Sequence, residues 1–260
     1  MKNEYSSRTN PTFVIYPSWQ AFGTNKLVTR GDGSTISNTP YSVRLAHQTV
    51  YFWPTFTSLE QQVLRNAFQQ IARWTCVNFE EKVYVPWYHG DRWIEGKSYV
   101  IIRKSNNYMA YTDNKIENVA IRSILYITDR ALNYPVFNQS RGMIIDQLLR
   151  FLGFRPEHLR PDASSYIQPV GKLTDSPRPD FLQAQLQWPF DPESVSIPTD
   201  AVKWYELSIY CPARSNNNIG AGQRAGLLTK WDAIKLNSMF CPHMVKHVDP
   251  RYGPCVVPRL

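Results

Sequence analysis

The stretch from Ser140 to Leu152 constrains this chain more than any other. Ile144, Ile145, Leu148, Leu149, Phe151 and Leu152 recur at helical spacing and cover most of the helix circumference. A helix that is apolar on most sides has to be enclosed by other elements rather than laid on a surface. Gly153 is placed to end it in a left-handed conformation, and Pro156 cannot continue it. Asp146 and Arg150, of opposite charge, lie inside this segment one turn apart. With 260 residues, 43% hydrophobic and 19% charged, the chain has enough material to build layers around such a helix.

The flanking sequence supplies those layers. Residues 1–46 are rich in Ser, Thr, Asn and Gly, with prolines at Pro11, Pro17 and Pro40, and read as an extended arm with order beginning near Thr49. Val50–Trp53 reads as a strand ended by Pro54. Thr57 and Glu60 form a capping box ahead of Leu59, Val63, Leu64, Ala67, Phe68, Ile71 and Ala72, which predicts an amphipathic helix to about Trp74. Val77–Phe79, Tyr99–Ile102 and Ser123–Ile127 read as strands, and a last helix follows Thr229 as N-cap with Asp232 at N3. The pattern is α+β, with two lobes joined near Gly153 and a cleft expected between them.

The net charge of +8 invites nucleic acid or acidic glycans. The basic residues are scattered, however, and no nucleic-acid signature accompanies them, so nucleic acid is not expected as a partner. No apolar run approaches the roughly 18–20 residues of a membrane helix. Met1–Ser7 lacks the apolar stretch of a secretory signal. Asn138-Gln139-Ser140 is a glycosylation candidate at Asn138 if the protein is secreted. Four cysteines with wide spacing and no CxxC permit two disulfides, and three pairings are open on spacing alone. His243 and His247 are i,i+4, but without a third ligand they read as a solvated tail, and His47, His89 and His158 fall in no motif.

Four stretches stand out in order: Trp74-Thr75-Cys76-Val77-Asn78-Phe79, Leu152–Asp162, Ile219–Arg224 with Leu228–Asp232, and Leu236–Pro242. Together they resemble the astacin family of zinc metalloproteases (metzincins). The resemblance covers about residues 47–242. It implies a two-lobed metzincin-like fold: an upper lobe (about 47–153) with a twisted mixed sheet and a central active-site helix, a lower lobe (about 154–242) closed by a C-terminal helix, and a tail (243–260).

Such a fold carries two His at i and i+4, a Glu beside the first that activates zinc-bound water, and a third His after the glycine turn. Registered on Gly153 and Glu157, the first His position holds Asp146, the general-base position Gln147, the second His position Arg150 and the third Pro156. No HExxH occurs in the chain. Arg150 brings a permanent cation, Pro156 has no side-chain donor atom, and an amide cannot take a proton from water near neutral pH. No cofactor is therefore expected. Asp146 and Arg150 are spaced to form an ion pair that fills the metal's volume, the alternative being two side chains pointing separately to water.

The family's Met-turn corresponds, ungapped, to Ser208–Pro212, with Tyr210 at the Met position and Pro212 where a supporting Tyr would stand, beside Cys211. The resemblance also implies a Cys76–Cys241 disulfide. That leaves Cys211 and Cys255, for which a bond strapping the tail across or beside the cleft is the expectation and free thiols the alternative. Asp32, in Thr29-Arg30-Gly31-Asp32, matches the Gly-Asp of a family prosegment and is a candidate to approach Arg150. Glu157 binds the freed N-terminus in the family, and is expected to take another partner here, an arginine.

Three functions follow as expectations. The first is a secreted, catalytically inactive protein with an unidentified protein or matrix partner. The second is an active zinc endopeptidase with an atypical site, and the third a basic glycan-binding module, for which the charge alone speaks.

Overall fold

The computed structural model describes residues 13–15, 43–84, 99–106, 111–113, 122–171, 181–212, 214–245 and 248–255. Strands β1 (Phe13–Ile15) and β2 (Val43–Leu45) pair antiparallel, with Phe13 opposite Leu45. Regular pairing thus begins inside the segment read as an arm, earlier than Thr49. The short β-branched groups Val14-Ile15 and Val43 form it, although their polar, proline-containing surroundings argue for a loop.

Strand β3 (His47–Phe52) leads into helix α1 (Ser58–Trp74), whose capping box forms: Thr57 Oγ1 accepts from the Glu60 amide at 3.3 Å and Glu60 Oε2 accepts from the Thr57 amide at 2.7 Å. Strands β4 (Asn78–Lys82), β5 (Tyr99–Ser105), β6 (Tyr111–Asp113) and β7 (Arg122–Thr128) complete a five-stranded sheet in the order β4-β3-β5-β7-β6. The first four are parallel and β6 is an antiparallel edge, so the sheet is mixed.

The strands run further than their apolar residues suggest, because their polar ends are also paired. Lys104 reaches Glu60 at 3.0 Å, and Arg103 stacks 3.6 Å over the Trp53 ring centroid. Val50, Phe52, Val100, Ile102, Leu125 and Ile127 face one side at period two and pack with α1 residues Leu64, Phe68 and Ile71.

After the short α2 (Asp129–Leu132) comes helix α3 (Phe137–Phe151), the enclosed helix of the sequence. It starts at Phe137 rather than Ser140. Ser140 does not cap it; its hydroxyl is buried and donates to the Ala131 carbonyl at 2.5 Å, docking α3 onto α2. Gly153 ends the helix at φ 93°.

The second half holds β8 (Ile167–Pro169), α4 (Gln183–Leu186), β9 (Tyr205–Leu207), α5 (Ala221–Ala225) and α6 (Lys230–Phe240), the last opened by the Thr229–Asp232 capping box. Ala163, Tyr166, Ile167, Phe190, Ile197 and Ile219 form a second cluster here. Leu236, Met239 and Phe240 of α6 instead belong to the first cluster, so both halves share that core. At the α3–α5 crossing Gly142 lies so close to Gln223 that a Cβ would overlap its carbonyl.

Cys76–Cys241 ties the end of α1 to the end of α6, and Cys211–Cys255 anchors the C-terminal segment. That segment is docked in part: Val245 and Val248 pack on Trp188, Trp231 and Ile234, and Cys255 is buried, while His243 is exposed as expected. No described helix is long and apolar enough to cross a membrane.

Candidate functional site

A cleft of about 470 Å³ opens where α3 meets the loop that follows it and the segment Pro198–Asp200. Asp146, Gln147 and Arg150 of α3 line it together with Thr128, Met143, His158 and Gln223. The helix presents these residues to the cleft while its apolar residues fill the first core. Pro156 is buried at the start of the Glu157–Leu159 turn and is not among the cleft-lining residues.

Asp146 and Arg150 are joined. Arg150 Nε donates to Asp146 Oδ1 at 2.9 Å, and the two side chains are 5% and 6% exposed for Arg150 and Asp146 respectively. Burial pushes the Asp146 carboxyl above its ordinary range; Arg150 pulls it down, and the neighbouring Asp232 adds to the rise. Gln147 is locked twice to the end of β7: its Oε1 accepts from the Thr128 amide at 3.0 Å and its Nε2 donates to Thr128 Oγ1 at 2.8 Å.

These residues do not fit a zinc ion. Arg150 brings positive charge, Gln147 has both polar atoms engaged, and Pro156 has nothing to donate, which leaves one carboxylate already bonded to a cation. No group of three or more His, Cys, Asp or Glu able to hold a metal occurs among the described residues.

His158 is a cleft residue that no motif signals. Its Nδ1 is buried without a hydrogen-bond partner, and burial together with the Arg150 cation pushes it down to about 3, so the ring is neutral at physiological pH. The nearest sequence signal is its position two residues after Pro156, inside the stretch that carries the resemblance. His158, Pro198 and Asp200 also line a second, adjoining hollow of about 280 Å³ completed by Ala201, Trp204 and Tyr205.

The other candidates lie elsewhere. Tyr210, Cys211 and Pro212 are not among the cleft-lining residues: Ser208 Oγ donates to the Ser165 carbonyl at 2.6 Å, and Cys211 is buried in the second cluster. The Cys211–Cys255 bond therefore does not strap the tail over the cleft. It holds residues 248–255 near Pro189 and Asp191, where Gly253 packs on the Pro189 ring. The reason is that both cysteines are buried in the second cluster, to which α3 contributes no residue.

Glu157 is fully buried and takes Arg160 Nη1 at 3.0 Å, the Asp191 amide at 3.1 Å and the Lys235 ammonium, whose part the sequence does not signal. Asn138 is exposed in the first turn of α3. Asp32, His89 and His247 lie outside the described residues.

No protein-family model and no curated protein matches this chain. Among solved structures it is similar to high choriolytic enzyme 1, a hatching-enzyme zinc protease from Oryzias latipes (medaka fish). The identity is 19% and the TM-score 0.47, over 75% of this chain and 88% of that one. It is also similar to myroilysin, at 10% identity and a TM-score of 0.35, over 75% of this chain and 80% of that one.

Proposed function

We propose that this chain is a secreted binding protein on an astacin-like scaffold that holds no catalytic zinc and hydrolyses no peptides. The observation that carries the reading is the Asp146–Arg150 pair, buried on the face of α3 where the resemblance calls for zinc-binding histidines. Gln147, at the general-base position, is fixed to Thr128 by both ends of its amide and has no basic group to offer a water. Two disulfides fit an oxidising compartment, which supports secretion. What remains of the site is an open cleft with mixed polar and apolar walls, suited to holding a ligand without transforming it.

Elemental analysis and a fluorogenic peptide library, both applied to the purified full chain, test this. The expectation is substoichiometric zinc and no cleavage above buffer. One tightly held zinc per chain with chelator-sensitive peptidase activity overturns it and restores the atypical endopeptidase. Replacing Asp146→His, Gln147→Glu, Arg150→His and Pro156→His together is expected to raise zinc content towards one per chain.

A further inference from the structure

The buried Arg150 is only half used. Its Nε meets Asp146, but Nη1 and Nη2 make no hydrogen bond among the described residues, and Arg150 lines the cleft. The free end-on edge of a guanidinium is a planar two-donor fork that matches one carboxylate, and a cation this deeply buried is screened little by salt. The other charges around the cleft, Asp129, Arg130 and Asp200, are more exposed than Arg150 and belong to its mouth. They disfavour a ligand with a run of acids more than a ligand with a single one.

The adjoining hollow supplies a second contact. Trp204 is 51% exposed, yet its backbone is fixed on both sides, its amide donating to the Ala201 carbonyl at 2.9 Å and its carbonyl accepting from the Val170 amide at 2.8 Å. An exposed tryptophan on a rigid backbone, flanked by Pro198 and Tyr205, offers apolar area with little conformational entropy left to lose. Because His158, Pro198 and Asp200 belong to both hollows, one ligand can span them.

We propose that the cleft receives a peptide through a single carboxylate, from an acidic side chain or a free C-terminus, held on the Nη1/Nη2 edge of Arg150. A neighbouring apolar side chain sits on the Pro198–Trp204–Tyr205 shelf. The inference rests on the reading that this cleft binds rather than cleaves.

Calorimetry on the full chain with two matched pairs of probes tests it: N-acetyl-Phe-Asp-amide against N-acetyl-Phe-Asn-amide, and N-acetyl-Ala-Phe as the free acid against its amide. A charged hydrogen-bonded contact predicts that the acid of at least one pair binds about tenfold or more tighter than its neutral partner. The pair that shows the effect identifies the source of the carboxylate. In the double variant Asp146→Leu/Arg150→Met the ratio falls to about one, and in Arg150→Lys it falls several-fold because charge is kept but the fork is lost. Trp204→Ala, at an exposed position, weakens both members of the pair equally.

No binding, no preference for the acid in either pair, or a preference that survives the double variant overturns the inference. An affinity unchanged by Trp204→Ala overturns the shelf. Zinc content and cleavage of the probes are measured on the same preparation. Zinc-dependent cleavage defeats the binding-protein reading, whereas an inert, zinc-free chain that does not discriminate acid from amide defeats this inference alone.

Discussion

Replacing Arg150 by methionine strips a buried carboxylate of its cation. Asp146 is 6% exposed and already raised by burial and by Asp232, and Arg150 is the group that holds it down. Breaking a buried pair from one side costs about 3–5 kcal/mol, because the remaining charge is left uncompensated. At about 2–4 °C per kcal/mol for a chain of this size, Arg150→Met is expected to lower Tm by roughly 6–20 °C at pH 8. The loss depends on pH in a definite direction. A carboxyl whose folded pKa lies above its unfolded value favours the protonated form, so its penalty grows as pH rises above the unfolded pKa. The Arg150→Met deficit should therefore shrink at pH 4, close to the ordinary aspartate value of 3.8, because there the unfolded chain gives up less by holding the proton that burial favours in the folded one. Replacing both partners, Asp146→Leu/Arg150→Met, removes two desolvation penalties with the attraction and should leave stability within about 1–2 kcal/mol of the parent. Urea unfolding with disulfides intact, at pH 4 and 8, completes the cycle. The reasoning fails if Arg150→Met costs under about 1 kcal/mol at pH 8, if its cost does not fall at pH 4, or if the double variant is as unstable as the single.

Three further outcomes are expected. Burial and the neighbouring Asp232 push Asp191 from an ordinary 3.8 up to about 7, so the folded chain holds a proton there that the unfolded chain has lost, and stability falls as pH rises between those values; Asp191→Asn should flatten the Tm–pH profile across that window and nowhere else. Gly142→Ala, which in an open helix would gain about 1 kcal/mol, should instead cost about 1–3 kcal/mol because the new methyl meets the Gln223 carbonyl, and a raised urea midpoint would contradict that close approach. Replacing Cys211 and Cys255 by serine opens a loop of 44 residues, for which the chain-entropy model gives about 4 kcal/mol; calorimetry should show that loss together with new protease sensitivity confined to residues 248–255.

How much could be read in advance differs from element to element for physical reasons. Helices α1 and α6 were legible to their first residues because a capping box is a local device, complete within four positions. The interior of α3 was legible from periodicity, but its start was not, since Ser140 spends its hydroxyl on Ala131 in another helix. The strand ends escaped for the same reason: Lys104 and Arg103 look like loop residues until Glu60 and Trp53 are placed beside them. In the cleft, the Asp146–Arg150 contact follows from helical spacing, whereas His158, Thr128 and Trp204 arrive from three separate segments with no shared motif. Lys235 is the extreme case, meeting Glu157 across 78 residues of sequence.

That last contact belongs to a network that fixes the chain where it leaves α3. Glu157 follows directly on Pro156, and it is bonded to Arg160 in its own turn, to Lys235 of α6, to the Asp191 amide and to Gln185 Nε2 at 3.4 Å. One buried carboxylate thus joins the chain leaving α3 to the last helix and to the segment between them. Asp191 and Asp232 lie in the same group, and Arg160 is also paired with the more exposed Asp162, so carboxylates outnumber the two cations Arg160 and Lys235, and the shift of Asp191 to about 7 reduces that excess negative charge near neutral pH. Asp232 is satisfied by Ser194 Oγ at 2.5 Å and the Val195 amide at 2.9 Å, and Asp191 by Thr229 Oγ1 at 2.5 Å. A buried network with its polar atoms paired specifies a single arrangement. The turn after α3 is therefore held by residues that do not themselves line the cleft.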